Sequence, residues 1–326
     1  MKIGKLSNEQ LTELVLARLP KTGGDVLCGP GIGLDCAAVR LNEGVIVLSS
    51  DPITGAAKDI GRLAIHISCN DIAAAGIRPL ALMLVLIAPP TATAAEVARI
   101  MDDASAAAES LSVSIVGGHT EISDAVSRYL IVTTAIGFTQ GRPPIDARSA
   151  KPGDTLIMTK TAGLEGTSIL ASDQSNRFAS HLSPEEIVEA AALIDQISVV
   201  REGLICAELG VHAMHDATEG GLLGAIHELC DACACGCRID ADAMPVHPLT
   251  RRITTALDLD PYRLLSSGSL LIATPSPDIV LQALSEAGIR ATAIGLLTSD
   301  PGRRMTLGGL EMEILPPMPD ELYKIV

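Results

Sequence analysis

Five acidic residues stand just after apolar runs or glycine-rich stretches: Asp35, Asp51, Asp71, Glu121 and Asp216. Carboxylates repel a polyphosphate and cannot hold one directly. They can hold Mg2+, which takes hard oxygen ligands in an octahedron and bridges to phosphate oxygens. Several acids at loop mouths are therefore what a Mg-ATP site without a P-loop needs. The same placement suits turn formers and helix caps, so the pattern alone leaves both readings open. The common nucleotide signatures are missing: there is no Gly-x4-Gly-Lys-Ser/Thr, and the spacing of Gly29, Gly31 and Gly33 does not fit Gly-x-Gly-x-x-Gly.

Cys230, Cys233, Cys235 and Cys237 form a second group, four thiols within eight residues. Such a set can bind Zn2+ or an Fe–S cluster. The compact spacing lacks the gap between paired knuckles of usual zinc sites, and cysteine also serves as a small buried hydrophobe, which is the reading expected here. His66 lies on an apolar segment and is expected to pack. His215 precedes Asp216 and is a candidate to line the site, and His227 follows the Gly220-Gly221 pair.

The elements that must position these groups can be read in outline. Ser7-Asn8-Glu9-Gln10 predicts a capped helix to about Leu19, and the glycine-rich Thr22–Gly33 predicts a ligand-wrapping loop. Strands are expected at Val45–Leu48, Leu80–Ile87, Val113–Val116, Tyr129–Gly137, Thr155–Thr159, Ala213–His215, Leu270–Ala273 and Ala291–Leu296. Helices are expected at Asp59–Ala75, Thr93–Leu111, Leu164–Ala171, Pro184–Ile194, Val199–Leu209, Glu219–Cys230 and Pro277–Ala287. Gly117-Gly118 reads as the turn that ends a strand. Strands and helices intermix without a regular βαβ series, which gives an α+β chain rather than a doubly wound one. The turn-rich stretch Gln140–Asp154 marks a boundary between domains 1–148 and 149–326.

Composition bounds the rest. A chain of 326 residues is long for a single core. Trp is absent, with 3 Tyr and 2 Phe, too few for the stacking platforms of single-strand binders. The net charge of −15 argues against nucleic acid and anionic membranes. No apolar run reaches the roughly 20 residues that span a bilayer. Eight cysteines without an export signal suggest reduced thiols and a cytoplasmic protein.

The local contexts add a resemblance. Gly33-Leu34-Asp35-Cys36-Ala37-Ala38-Val39 resembles the Gly-Asp-Asp-Ala-Ala-Val loop of the aminoimidazole ribonucleotide (AIR) synthase superfamily, which includes PurM, the thiamine-phosphate kinase ThiL, selenophosphate synthetase and HypE. Leu48-Ser49-Ser50-Asp51 looks like that family's next strand with its metal-binding Asp. Asp59–Ala64 with Asn70-Asp71-Ile72-Ala73 through Pro79 resembles the HypE helix and its stop. Gly117-Gly118-His119-Thr120-Glu121 is similar to the Gly-Gly-Asp-Thr turn, and His215-Asp216-Ala217-Thr218-Glu219-Gly220-Gly221-Leu222 to the HypE element Asp-Pro-Thr-Arg-Gly-Gly-Leu. The five motifs keep the family's order over residues 30 to 225.

The resemblance implies a PurM-like fold of two αβ domains, paired into a homodimer through the N-terminal one, with ATP between domains and across the dimer. It implies Mg2+ on Asp35, Asp51 and Asp71, and catalytic roles for Asp71, His119 and Glu121. It implies ATP or phosphate contacts from Gly33, Asp35, Asp51, Asn70, Gly117, Gly118, Thr120, Asp216, Thr218, Gly220 and Gly221. The double glycines would let backbone approach the ligand, and Thr218, Gly220 and Gly221 at a helix start would offer N–H groups to an anion. Three departures stand out: Cys36 replaces the loop's second Asp, His119 the acid after Gly-Gly, and Glu219 the HypE Arg. HypE also carries a C-terminal Cys that accepts a carbamoyl group, whereas no Cys follows Cys237 here. The expected activity is ATP-dependent phosphorylation and dehydration of an amide- or carbonyl-type oxygen on a small-molecule or protein acceptor, as in metallocofactor maturation. The alternatives are a ThiL-like small-molecule kinase and a degenerate nucleotide-binding scaffold.

Overall fold

The computed structural model describes residues 8–14, 16–18, 25–54, 56 and 58–325. The first half holds α1 (Asn8–Leu14), β1 (Val26–Cys28), β2 (Ala37–Leu41), β3 (Gly44–Ile53), α2 (Ile60–Ala74), β4 (Pro79–Ala88), α3 (Ala94–Leu111), β5 (Ser114–Ile122) and β6 (Leu130–Thr139). The second half opens with β7 (Thr155–Thr159), α4 (Leu164–Asp173), α5 (Pro184–Ala191), α6 (Val200–Ala207), β8 (Ala213–Ala217) and α7 (Gly221–Cys233). It continues with β9 (Gly236–Asp240), α8 (Pro248–Leu257), β10 (Ser269–Thr274), α9 (Pro277–Glu286), β11 (Ala291–Thr298), β12 (Arg303–Leu307) and β13 (Leu310–Glu313).

Two mixed sheets result, which is the α+β, PurM-like arrangement. One is ordered β1-β2-β3-β6-β4-β5 and the other β13-β12-β9-β11-β7-β10-β8. The central pairings of the first sheet are antiparallel, while β4 and β5 run parallel.

The first sheet is two-faced by strict alternation. Val47, Ser49, Leu82, Leu84, Leu86, Ile131, Thr133 and Ala135 are buried beneath α2 and α3. Their alternate neighbours Ile46, Leu48, Met83, Val85, Val132, Ile136 and Phe138 lie on the opposite face, half-buried or exposed, as the period of two requires.

Helix α2 is the hub. It is buried at 14 of its 15 positions. A helix that is apolar all round needs neighbours all round, and α2 has them: β3, β4, β6 and α3 from its own half, α6 and β8 from the other. Each large side chain it buries contributes roughly 1.5–3 kcal/mol, so packing holds this helix more than intrinsic propensity does. α3 begins where expected, with Thr93 and Glu96 forming a reciprocal capping box.

Three expectations change. The first helix is shorter, ending at Leu14 with a separate 3-10 turn at Leu16–Arg18, while Ser7 and Leu19 lie outside the described residues. The loop expected over Thr22–Gly33 contains β1. The Gly117-Gly118-His119-Thr120-Glu121 segment is no turn but the middle and end of β5. It continues as strand because Gly118 packs flat on β4: a Cβ there would stand 1.8 Å from the Leu84 carbonyl oxygen.

Candidate active site

Asp35 comes from the loop before β2, Asp51 from β3, Asp71 from the last turn of α2 and Asp216 from β8. All four line one cleft of about 800 Å³, walled by both halves and by the 125–130 loop between β5 and β6. Thr218 and Glu219 line it too.

The carboxylates are held close by shared hydrogen-bonding contacts. The Ser49 hydroxyl lies 2.9 Å from Asp51 Oδ2 and also contacts Asp71 Oδ2. One hydroxyl proton cannot serve both acids, so this contact fits a protonated Asp71. Burial, then the charges of Asp216 and Asp51, holds the Asp71 carboxyl well above the usual range. The Cys36 thiol donates to the Asp71 carbonyl at 3.0 Å, and burial beside Asp71 raises that thiol well above its ordinary value.

Asp216 is the most exposed to unmet demand. Both its carboxylate oxygens are buried, and no N–H or hydroxyl among the described residues reaches them; only the Asp71 carboxyl, if protonated, is placed to donate. Burial and the Asp35 charge push it up to about 7. Next to it, His215 Nδ1 lies 2.7 Å from Asp35 and Nε2 lies 3.3 Å from Glu228. Burial alone would depress the imidazole, but the two carboxylates raise it well above the ordinary histidine value. Asp35, His215 and Asp216 bring ligand atoms within 4.8 Å of one another. Both His215 nitrogens already face carboxylates, so the ring is suited to orienting Asp35 rather than to binding a cation itself. An orphaned buried carboxylate among three others, all hard oxygen donors, fits Mg2+.

A second pocket of about 310 Å³ abuts the cluster, sharing Leu34, Asp35 and Asp71 with the cleft. Its walls are mainly apolar, from β1, β2, α2 and the Pro143–Ala147 segment, with Arg40 and Asp146 as charged groups.

Glu165, from the first turn of α4, and Ser267 and Asp320 line the cleft as well. Asp320 accepts backbone N–H bonds from Gly220 (2.7 Å), Leu265 (3.1 Å) and Leu322 (2.9 Å). It thereby docks the segment carrying Leu322 and Tyr323 against the cleft.

The other expected site residues separate. Asn70 does not face the cleft: its amide donates to Ile197 O at 2.9 Å and accepts from Val199 N at 2.8 Å. The Gly220 N–H is taken by Asp320 and the Gly221 N–H by Thr218 O at 3.1 Å, so neither is aimed at an anion. Gly33 is required by packing as well as by its φ of +67°, since a Cβ would sit 2.3 Å from the Glu228 carbonyl oxygen. Gly117, Gly118, His119, Thr120 and Glu121 stand on the exposed edge strand β5. In register, His119 pairs with Val85, Val85 with Val132, and Val132 with Pro52 beside Asp51. Three strand spacings are about 14 Å, too far for His119 or Glu121 to share a reacting atom with Asp51 of the same chain. They contact each other instead, at 3.5 Å.

Sequence reasoning missed Ser49, Glu165, Glu228, Ser267 and Asp320. Ser49 alone carried a signal, two residues before Asp51 on the same strand face. The four clustered cysteines run from the end of α7 into β9 as free thiols. Among the described residues they do not gather as a metal-binding group.

This combination of two αβ halves, an acidic cleft between them and no P-loop defines a recognisable class. Residues 33–139 match the family described as AIR synthase related protein, N-terminal domain, and residues 151–308 match its C-terminal domain; the chain belongs to this family. Among its relatives, the carbamoyl dehydratase HypE of Cupriavidus necator is 30% identical over 300 residues, covering 86% of this chain and 82% of that protein. The crystal structure of E. coli HypE superposes with a TM-score of 0.73 at 25% identity, covering 86% of this chain and 91% of that one. A HypE solved in complex with ATP shares the fold over 99% of this chain and 98% of that one, with a TM-score of 0.73 at 24% identity.

Proposed function

We propose that this chain binds Mg-ATP in the cleft and uses it to activate an amide- or carbonyl-type oxygen, in the manner of the carbamoyl dehydratases to which it is similar. The observation that carries the reading is Asp216, with both oxygens buried and no N–H or hydroxyl donor, beside Asp35, Asp51 and Asp71. Asp35, Asp51, Asp71 and Asp216 would hold Mg2+, which when bound would offset charge on the phosphates. His215 fixes the orientation of Asp35, and the Ser49 hydroxyl couples Asp51 to Asp71. Thr218 lies where a hydroxyl can meet a phosphate oxygen. The apolar pocket beside Asp35 and Asp71 suits the base, whose faces are apolar and whose edges need few polar partners. The acceptor would reach its transferred phosphoryl group within the same cleft, which residues 125–130 and the segment carrying Asp320, Leu322 and Tyr323 also line.

We assign residues 1–148 and 149–326 to two domains. Pairing of two chains through the uncovered face of the first sheet would cover its apolar residues and would place Gly117–Glu121 of β5 at the partner-facing edge. A small molecule or a protein can carry the acceptor group; a HypE has been solved in complex with HypF. Metallocofactor maturation in the cytoplasm suits eight free thiols. Among the described residues no helix is long and apolar enough to cross a membrane.

Calorimetry tests the reading. ATP with Mg2+ should bind wild type, and Asp216→Ala should weaken that binding at least tenfold while leaving the fold intact by circular dichroism. Wild type that shows no Mg-dependent ATP binding would end the proposal and leave a scaffold role standing.

A further inference from the structure

The cleft is short of positive charge. Beside its four clustered Asp residues, Glu165, Glu219 and Asp320 line it as well, and among the described lining residues one side chain is cationic, Arg128. Arg40 belongs to the adjoining apolar pocket. Backbone donors at the start of α7 do not make up the difference, because the Gly220 and Gly221 N–H groups are already bonded within the chain. Mg2+ offsets only part of a nucleotide's charge, and the surrounding acids repel the remainder. A triphosphate in this cleft therefore calls for a cationic side chain of the protein itself.

Arg128 is kept available for that. It lies between β5 and β6, where the chain bends at Ser127 and Arg128. Both flanks of the bend are fastened. The Ser123 N–H donates to Ala88 O at 2.9 Å, and the Tyr129 hydroxyl donates at 3.1 Å to Glu96 Oε2, the carboxylate that also caps α3. Arg128 is exposed and its guanidinium makes no hydrogen bond or ion pair with any described residue, although acids line the same cleft.

The neighbouring pocket indicates which part of a nucleotide it meets. The pocket assigned above to the base shares Asp35 and Asp71 with the cleft, whereas Arg128 lines the cleft alone. Phosphates running from that pocket past the acids present their terminal group last. Arginine suits such a group, since its planar fork gives two parallel N–H bonds to a phosphate and its charge is never lost.

We propose that Arg128 binds the terminal phosphoryl group of the nucleotide, so that the cleft distinguishes a nucleoside triphosphate from the diphosphate left after transfer. This rests on the Mg-ATP reading above and adds a specificity-determining residue to it. The guanidinium donates to two oxygens of the terminal phosphate and offsets charge that Mg2+ leaves uncovered. Once that group has left, the contact is lost with it, and the diphosphate is held less tightly among the acids.

Isothermal calorimetry on the full-length protein with saturating Mg2+ carries the test, with AMP-PNP and ADP as the probes. Wild type should bind AMP-PNP about tenfold tighter than ADP or more, the scale of a charge-assisted hydrogen bond. Arg128→Ala should bring that ratio to about two or below by weakening AMP-PNP, with the ADP affinity within about twofold of wild type. Arg128→Lys should fall between, because it keeps the charge and loses the fork. Circular dichroism checks that the variants fold. A wild-type ratio near one, an unchanged ratio in Arg128→Ala, or equal weakening of both nucleotides overturns the inference; the last result would make Arg128 a general surface charge. Failure of both nucleotides to bind wild type would instead overturn the Mg-ATP reading, so the two failures are distinct.

Discussion

Glu165 shows what a site residue does to its protein before any ligand arrives. Burial pushes its carboxyl up to about 7 from an ordinary 4.5, with hydrogen bonds from the Ser267 hydroxyl and backbone opposing and the Asp320 and Asp216 charges adding to it. The folded chain thus retains a proton that the unfolded chain releases near pH 4.5, and the contribution of this group to stability is lost as pH rises from about 4.5 through about 7. At about 1.4 kcal/mol per unit, that loss is up to roughly 3 kcal/mol. Glu165→Gln removes it. Urea unfolding at pH 5 and pH 8 should therefore show the variant gaining on wild type by about 1–3 kcal/mol more at the higher pH. Equal differences at both pH values would mean that the carboxyl is not held neutral by its surroundings.

At the level of elements, α2 carries the two halves of the molecule on adjacent residues. Consecutive helix positions point about 100° apart, so Asp71 faces the cleft while Asn70 faces the 197–199 segment. Asn70→Ala removes two buried hydrogen bonds across that seam and should cost about 2–4 kcal/mol, measured by chemical denaturation; a change below about 0.5 kcal/mol would show that the seam holds without it. The same geometry explains what sequence could reveal. That Asp35, Asp51, Asp71 and Asp216 share one cleft could be anticipated because each follows an apolar run or a glycine-rich stretch within a recognisable local pattern. Asn70 was misassigned because proximity in sequence to Asp71 hides the turn of the helix. The Gly117-Gly118 pair looked like a turn because glycine has two uses, and only the neighbouring strand shows that close packing is the one at work. Glu165 was invisible because the groups that act on it, Ser267 and Asp320, lie far along the chain.

For the whole molecule, the helices packed on the first sheet among the described residues, α2 and α3, cover its one buried face. Met83 and Phe138 are 47% and 40% exposed on the opposite face, with the half-buried Leu48, Val85, Val132 and Ile136 around them. A contiguous apolar surface of this kind marks an interface. The chain should sediment as a dimer, and Val85→Glu, placed in the middle of that face, should give a folded monomer. A monomeric wild type at micromolar concentration would contradict pairing through this sheet.

The step from residue 70 to residue 71 has a mechanical result. One helical turn fastens the seam between the halves and also lines the acidic cleft. Anything that draws Asp71 inward must pull on the strap that Asn70 makes to the other half. Occupancy of the cleft and stiffness of the joint are thus linked by a single rigid lever, and slower amide hydrogen exchange at Val199 on adding Mg-ATP is its natural signature.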